Sequence, residues 1–229
     1  MVVSRETDPP GQVSAPAGGG DAGRSPARER LLSVASGLFY GEGIRAVGVE
    51  RILAEVPTTR ATFYRHFPSK DDLVVAYLRG VDAQTRDGVH ADIDGAATPA
   101  EALRAIGDSI VQSLATPGFR GCAFLKAATE FPDPDDPIHR AVLEHRAWYA
   151  ATITELFARI FDTDVERPDP REAAQHFIVM RDGAMAGAQI DGAADVGVVL
   201  RRGVDGLLHV VHPTEFDGRP IDPRRGGRR

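Results

Sequence analysis

Apolar positions along the chain recur every three to four residues, and Gly and Pro separate the runs. Leu31, Leu32, Ala35, Leu38 and Phe39 share one face of a helix predicted from about Ala27 to Tyr40. Gly41 and Gly43 end it, Gly43 being suited to a left-handed cap. Val49, Ile52, Leu53 and Val56 mark a short second helix, which Pro57 terminates because proline has no N–H for the ladder. Thr58 or Thr59 can cap a third helix over Arg60–His66, closed by Phe67-Pro68. Ser69 can cap a long helix near 70–91, with Asp71 and Asp72 at its positive end. The same period predicts helices near 99–116, 121–131, 137–162, 170–190 and 194–211, with prolines at most of the breaks. No strand-like alternation appears, so the expected fold is all-α.

The two ends of the chain lack this pattern. Residues 1–26 hold five Gly and four Pro and almost no large apolar side chain, which predicts a disordered arm. Residues 213–229 are similar and end basic, a flexible tail. Between them we expect a three-helix domain over 27–72 and a helical body over 73–212. The 229 residues are 42% apolar and 26% charged, ordinary for a globular protein. No apolar run approaches a membrane span, and no apolar leader opens the chain, so no membrane partner and a cytoplasmic location are expected.

Net charge is -6, but it is unevenly spread. Residues 24–80 carry nine Arg/Lys against six Asp/Glu, and residues 81–212 carry twelve against twenty-one. A basic module on an acidic body suits a nucleic-acid binder better than the total suggests. Cys122 is the single cysteine, which excludes an internal disulfide and a Cys-built zinc site. His209 and His212 have no carboxylate arranged around them, and no Glu-x-x-His pair, phosphate loop, dinucleotide fingerprint or nucleophile elbow appears. Neither a metal, nor another cofactor, nor an enzymatic activity is expected.

The break between the second and third helices makes a helix-turn-helix candidate. Across it, residues 43–73 read GIRAVGVERILAEVPTTRATFYRHFPSKDDL. The string from Thr62 through Phe63, Tyr64, Arg65, His66, Phe67, Pro68 and Ser69 to Lys70 resembles the TetR/AcrR family of one-component transcriptional regulators. The resemblance covers Ala27 to about Leu78; beyond residue 80 only the helical layout is similar. It implies an N-terminal helix-turn-helix DNA-binding domain followed by a helical-bundle ligand-binding and dimerisation domain. The implied partners are a double-stranded DNA operator, a small-molecule effector of unknown identity and a second copy of the chain. The implied function is a repressor released when the effector binds the body.

Phe63 and Phe67, at i and i+4, share one face of the third helix and are expected to pack on Ile52 and Leu38. Arg60, Thr62, Tyr64 and Arg65 then face away. An arginine at the start of a helix in the major groove can reach guanine O6 and N7. Tyr64, His66 and Lys70 carry donors suited to phosphate. In the family, residues matching Arg60, Thr62, Tyr64, His66 and Lys70 commonly touch DNA. Thr59 and Arg65 are further candidates in this sequence, and Arg51 can reach the backbone from the second helix. Plainer roles stay open: a half-buried ring for Tyr64, a cap or packing role for His66, a solvated charge for Arg65. Two positions depart from the family pattern. Pro57 stands where glycine is usual in the turn, and Val47-Gly48 stands where hydroxyl residues usually cap the second helix.

In the body, the resemblance implies a dimer through the helices near 170–190 and 194–211. Val196, Leu200, Val204, Leu207 and Val211 form an apolar stripe for that purpose, with Gly183, Ala184 and Gly187 allowing close approach. An internal core is the other reading of the same stripe. Candidate pocket residues are Phe124, Phe131, Trp148, Tyr149, Phe177, Met180 and Met185, a lining suited to an apolar or aromatic effector. Glu130, Arg181 and Asp182 lie in apolar stretches and either orient a polar group or pair with one another. Two alternatives remain at this point: redox control through Cys122, and a helical ligand-binding protein that kept the DNA-binding fold.

Overall fold

The computed structural model describes residues 25–161 and 169–210. All but the last two residues of the expected arm, the whole basic tail, and Val211 and His212 lie outside the described residues. The described residues form α1 (Pro26–Glu42), α2 (Val49–Glu55), α3 (Arg60–His66), α4 (Lys70–Asp94), α5 (Pro99–Leu114), α6 (Ala123–Glu130), α7 (Pro137–Phe161), α8 (Pro170–Gly187) and α9 (Ala193–Val210). They contain no strand.

Local chemistry sets the helix ends. Gly43 sits at φ 97°, and its N–H donates to the Phe39 carbonyl at 3.1 Å. Thr59, rather than Thr58, caps α3: its hydroxyl accepts the Thr62 N–H at 3.1 Å. At α4 the cap is reciprocal, with Ser69 Oγ accepting the Asp72 N–H and Asp72 Oδ2 accepting the Ser69 N–H. The proline in the turn is accommodated without a left-handed residue at that position. The Thr58 N–H donates to the Val56 carbonyl at 2.7 Å, closing a three-residue turn around Pro57, whose negative φ suits it. Gly48 precedes α2 with no side-chain cap, and Val47 beside it is fully buried, so packing stands where a hydroxyl would.

Phe39, Ile52, Phe63 and Phe67 are all 2% exposed or less and centre the α1–α3 core. Leu38, expected beside them, is partly buried against it. α4 serves both halves of the molecule: Leu73, Val74, Tyr77 and Leu78 are buried toward its start, Val81 and Val89 further along. In the body, α5 packs on α4, α7 and α9, while α7 pairs with α8 and α8 with α9.

The apolar stripe of α9 turns inward. Leu200, Val204 and Leu208 are buried, and Val196 and Leu207 are half-buried. A Cβ at Gly107 would lie 3.3 Å from Val204, and one at Gly197 only 2.7 Å from Val111, so α9 lies close on α5. Gly187 likewise faces Val196 of the same chain. The outward apolar residues are others: Val179 on α8, Val198 and Val199 on α9, and Ile190 between them. The stripe read from the sequence thus packs within the chain, because the helix face richest in large apolar residues serves the larger core.

Candidate functional site

α3 presents its outer face with Phe63 anchored beneath it. Arg60, Tyr64 and Arg65 are exposed, and Thr62 is half-buried because its hydroxyl lies 3.0 Å from that of Thr59. Arg60 pairs with Glu50 of α2 at 2.9 Å and lies 6.0 Å from the Tyr64 ring. Arg51 is held by Glu42 at 3.1 Å and by Glu55 at 2.5 Å, so two carboxylates already occupy it. Lys70 donates its ammonium to the Ile44 carbonyl at 2.6 Å, and burial pulls it below the usual lysine range. His66 is half-buried; its Nε2 is enclosed and finds no partner among the described residues. The surface therefore offers Arg60, Tyr64 and Arg65 outward, whereas Lys70 and His66 are turned toward the domain.

A second set of contacts joins this unit to the body through α6. Glu130 accepts the backbone N–H of Ile44 at 3.1 Å and of Arg45 at 2.6 Å. Lys126 donates to the Tyr40 carbonyl at 2.5 Å. The Tyr40 hydroxyl accepts the Arg120 N–H at 2.8 Å and donates to the Gly121 carbonyl at 3.0 Å. Glu130 is thus a structural clamp on the loop between α1 and α2.

Behind this junction lies a cavity of about 430 Å³ between α4, α5, α7, α8 and the start of α6. One face of α4 lines it with Val81, Gln84, Thr85, Gly88, Val89 and Asp92. α5 adds Ile106, Ser109, Ile110 and Ser113, and Thr116 follows from the loop after it. Gly121, Cys122, Phe124, Tyr149, Arg181 and Met185 close the other end. Of the expected pocket residues, Phe124, Tyr149 and Met185 meet here. Phe177 is fully buried in the core, and Met180 lies against Gly203 of α9. Trp148 stacks under Arg86, and Phe131 under Arg45. These four do not line the cavity. Arg181 and Asp182 pair with each other at 2.8 Å. Burial raises the Tyr149 phenol to about 12 and also raises Asp92 above the usual carboxylate value, although the Ser109 hydroxyl bonds it at 3.0 Å. The described residues hold no group of three His, Cys, Asp or Glu able to bind a metal, and none of their helices is long and apolar enough to cross a membrane.

A family model described as "Bacterial regulatory proteins, tetR family" matches residues 31–77, and "Tetracyclin repressor-like, C-terminal domain" matches 99–204. The structure of SCO4454, a TetR-family transcriptional regulator from Streptomyces coelicolor, is 46% identical. It superposes with a TM-score of 0.77 and covers 81% of this chain and 95% of that one. The chain belongs to the TetR family. HTH-type transcriptional regulator TcmR of Streptomyces glaucescens is 35% identical over 81 residues, 34% of this chain and 36% of that protein. The chain thus spans only about a third of the length of TcmR that it could be matched to. HTH-type transcriptional regulator YjdC of Escherichia coli is 24% identical over 183 residues, 78% of this chain and 92% of that one.

As a TetR-family member the protein is a DNA-binding transcriptional regulator with an N-terminal helix-turn-helix. Such regulators bind DNA and dimerise. The sequence reading missed the α4 and α5 walls of the cavity, and the signal was available. Residues 81, 84, 85, 88, 89 and 92 form one helical face that is too polar for a core and too apolar for a free surface. Glu50, the partner of Arg60, and Tyr40, the link to α6, were missed because their partners lie far from them in sequence or across a turn.

Proposed function

We propose that this regulator is a cytoplasmic repressor that binds its operator as a homodimer and is released when a small molecule fills the cavity. The observation that carries this reading is continuity: Gly121 lines the cavity, and its carbonyl is bonded by Tyr40 of α1. α4 adds a second route, since it caps beside α3 and walls the cavity further along. A ligand that favours one packing of α4 and the Arg120–Gly121 loop shifts the α1–α3 unit, and the operator must then bind the two arrangements differently. Arg60 reads base edges, while Thr59, Thr62, Tyr64 and Arg65 set the docking on phosphates. Arg51, His66 and Lys70 contribute through their place in the domain and reach DNA only if their present partners or enclosure yield.

The dimer face consists of the outward residues Val179 of α8, Val198 and Val199 of α9, and Ile190 between the two helices, with Gly183 and Gly206 open beside them. Two recognition helices on one two-fold axis suit half-sites about one or more DNA turns apart. Redox control has less support, because Cys122 is buried. Fluorescence anisotropy on the DNA upstream of the protein's own gene, at two salt concentrations and against a random duplex, tests the reading. Tight, salt-dependent preference for the upstream DNA supports it. Equal binding to both duplexes counts against it.

A further inference from the structure

We propose that the effector is a small organic acid with an apolar body, whose carboxylate is received by Arg181 at the inner end of the cavity. This rests on the reading of the cavity as the effector site.

Arg181 is 8% exposed and is the single cation lining the cavity among the described residues. Its only carboxylate partner among the described residues is Asp182, the next residue on α8, bonded from Nη1 at 2.8 Å. Asp182 does not neutralise it alone, because its other oxygen is taken by Arg146. Two guanidinium groups share one carboxylate, which leaves one positive charge in excess. From Nη2 it donates to the Cys122 sulfur at 3.6 Å, a weak acceptor. Tyr149 also meets it, with a phenol that hydrogen-bonds the guanidinium and a ring 5.2 Å from the guanidinium carbon; both partners are neutral and neither supplies a counter-charge. Burial works against this charge, but the surrounding groups outweigh it, and an arginine does not shed its proton. A buried cation without a full counter-charge is costly, and an incoming carboxylate would supply two acceptor oxygens to a planar fork.

The rest of the cavity fits an acid with an apolar body. Val81, Val89, Ile106, Ile110, Phe124 and Met185 give it apolar walls. The single lining carboxylate among the described residues, Asp92, is ten positions beyond Asp82 on α4, about 15 Å by helical rise. Asp82 bonds His145, which stacks on Phe124 beside Arg181, so Asp92 stands well away from the cationic end.

The test uses matched probes: 4-phenylbutanoate against 4-phenylbutanamide, and decanoate against 1-decanol. Affinity is read by calorimetry and by the fluorescence of Trp148, the chain's single tryptophan, 5.9 Å from Tyr149. The acids are expected to bind at least tenfold tighter than their neutral partners. Arg181→Gln should abolish that preference, and Arg181→Lys should keep part of it. Neutral probes binding as tightly as the acids overturn the proposal. So does an absence of acid binding at millimolar concentration, or a folded Arg181→Gln protein that retains the preference. If Arg181→Gln does not fold, the wild-type ratio still decides. Operator binding without probe is measured on the same preparation. Its failure overturns the proposed repressor reading, whereas a neutral probe that releases the operator overturns only the assignment of an acid.

Discussion

Tyr40 donates its hydroxyl to the carbonyl of Gly121 at 3.0 Å, tying the last turn of α1 to the loop that borders the cavity. Glu130 makes the second tie, to the α1–α2 loop. Tyr40→Phe and Glu130→Gln should each lower unfolding free energy by about 1–2 kcal/mol, the range for lost hydrogen bonds in partly buried sites. Because both hold the same junction, the double variant should deviate from additivity by about 0.5 kcal/mol or more. Urea unfolding of the four proteins checks this. Strict additivity would show two independent contacts rather than one junction.

Two glycine substitutions, one where α9 lies on α5 and one inside α1, should have opposite signs. A Cβ at Gly197 meets Val111 at 2.7 Å, and a branched buried side chain has little room to give. Gly197→Ala should destabilise by about 1–3 kcal/mol. Gly37 lies inside α1, where a Cβ meets nothing within 4 Å. Gly37→Ala should stabilise by about 0.5–1 kcal/mol, the helix preference for alanine. Thermal melts of both variants decide it, and a stabilising Gly197→Ala would refute the close packing.

How much of this was legible follows from where each signal lies. Helix positions came from local periodicity and capping chemistry, so the predicted bounds of α3 agree with the structure and most others differ by a few residues. Phe63 and Phe67 were legible as inward residues because i, i+4 spacing alone puts them on one face. The cavity was not legible from its aromatic residues. Phe177 and Met180 have the composition of a ligand pocket but are placed by tertiary packing into core and helix contact. The α9 stripe shows the same ambiguity, since an apolar face does not say which partner covers it. Lys70 reads as a phosphate donor in sequence, and only the fold brings the Ile44 carbonyl to it.

Acid should weaken the body through His145. Burial lowers its pKa below the ordinary 6.5; the Asp82 hydrogen bond opposes this, and Arg181 and Arg86 reinforce it. The unfolded chain therefore binds the proton first. Stability attached to the neutral ring is fully present above about pH 6.5 and is lost as pH falls toward the lowered folded value. Asp92, raised above 3.8, has the opposite sign, but in the carboxylate range. Urea midpoints between pH 5 and 8 should fall on acidification in the wild type and less so in His145→Gln. Parallel curves for the two proteins would remove His145 as the cause.

The outward residues of α8 and α9 predict the oligomeric state. Val199 is 68% exposed and Val179 59% exposed, on adjacent helices. Val199→Asp places an unpaired charge in that face, which costs little in a monomer and a great deal once the face is covered. Sedimentation should show a shift from dimer to monomer with α-helical content unchanged. Operator affinity should fall with it, since a monomer engages one half-site. A dimer that survives the substitution would place the interface elsewhere.

The pairing of Arg60 with Glu50 sets the last expectation. Arg60 opens α3, and its side chain is 64% exposed while its guanidinium is held toward α2 at 2.9 Å. An exposed pair of this kind is worth little by itself, so stability should change by less than about 1 kcal/mol when either partner is replaced. DNA binding should respond differently to each change. Arg60→Ala removes a base-reading group and should cost about 1–3 kcal/mol on the operator, with much less effect on random DNA. Tyr64→Ala should weaken both duplexes to a similar extent, as loss of a phosphate contact does. Glu50→Gln removes a negative charge beside the DNA and frees Arg60, so it should raise affinity for random DNA and narrow the gap to the operator. Anisotropy titrations of the three variants on both duplexes separate these outcomes. Equal losses on operator and random DNA for Arg60→Ala would make Arg60 a phosphate contact instead, and base reading would then fall to other residues of α3.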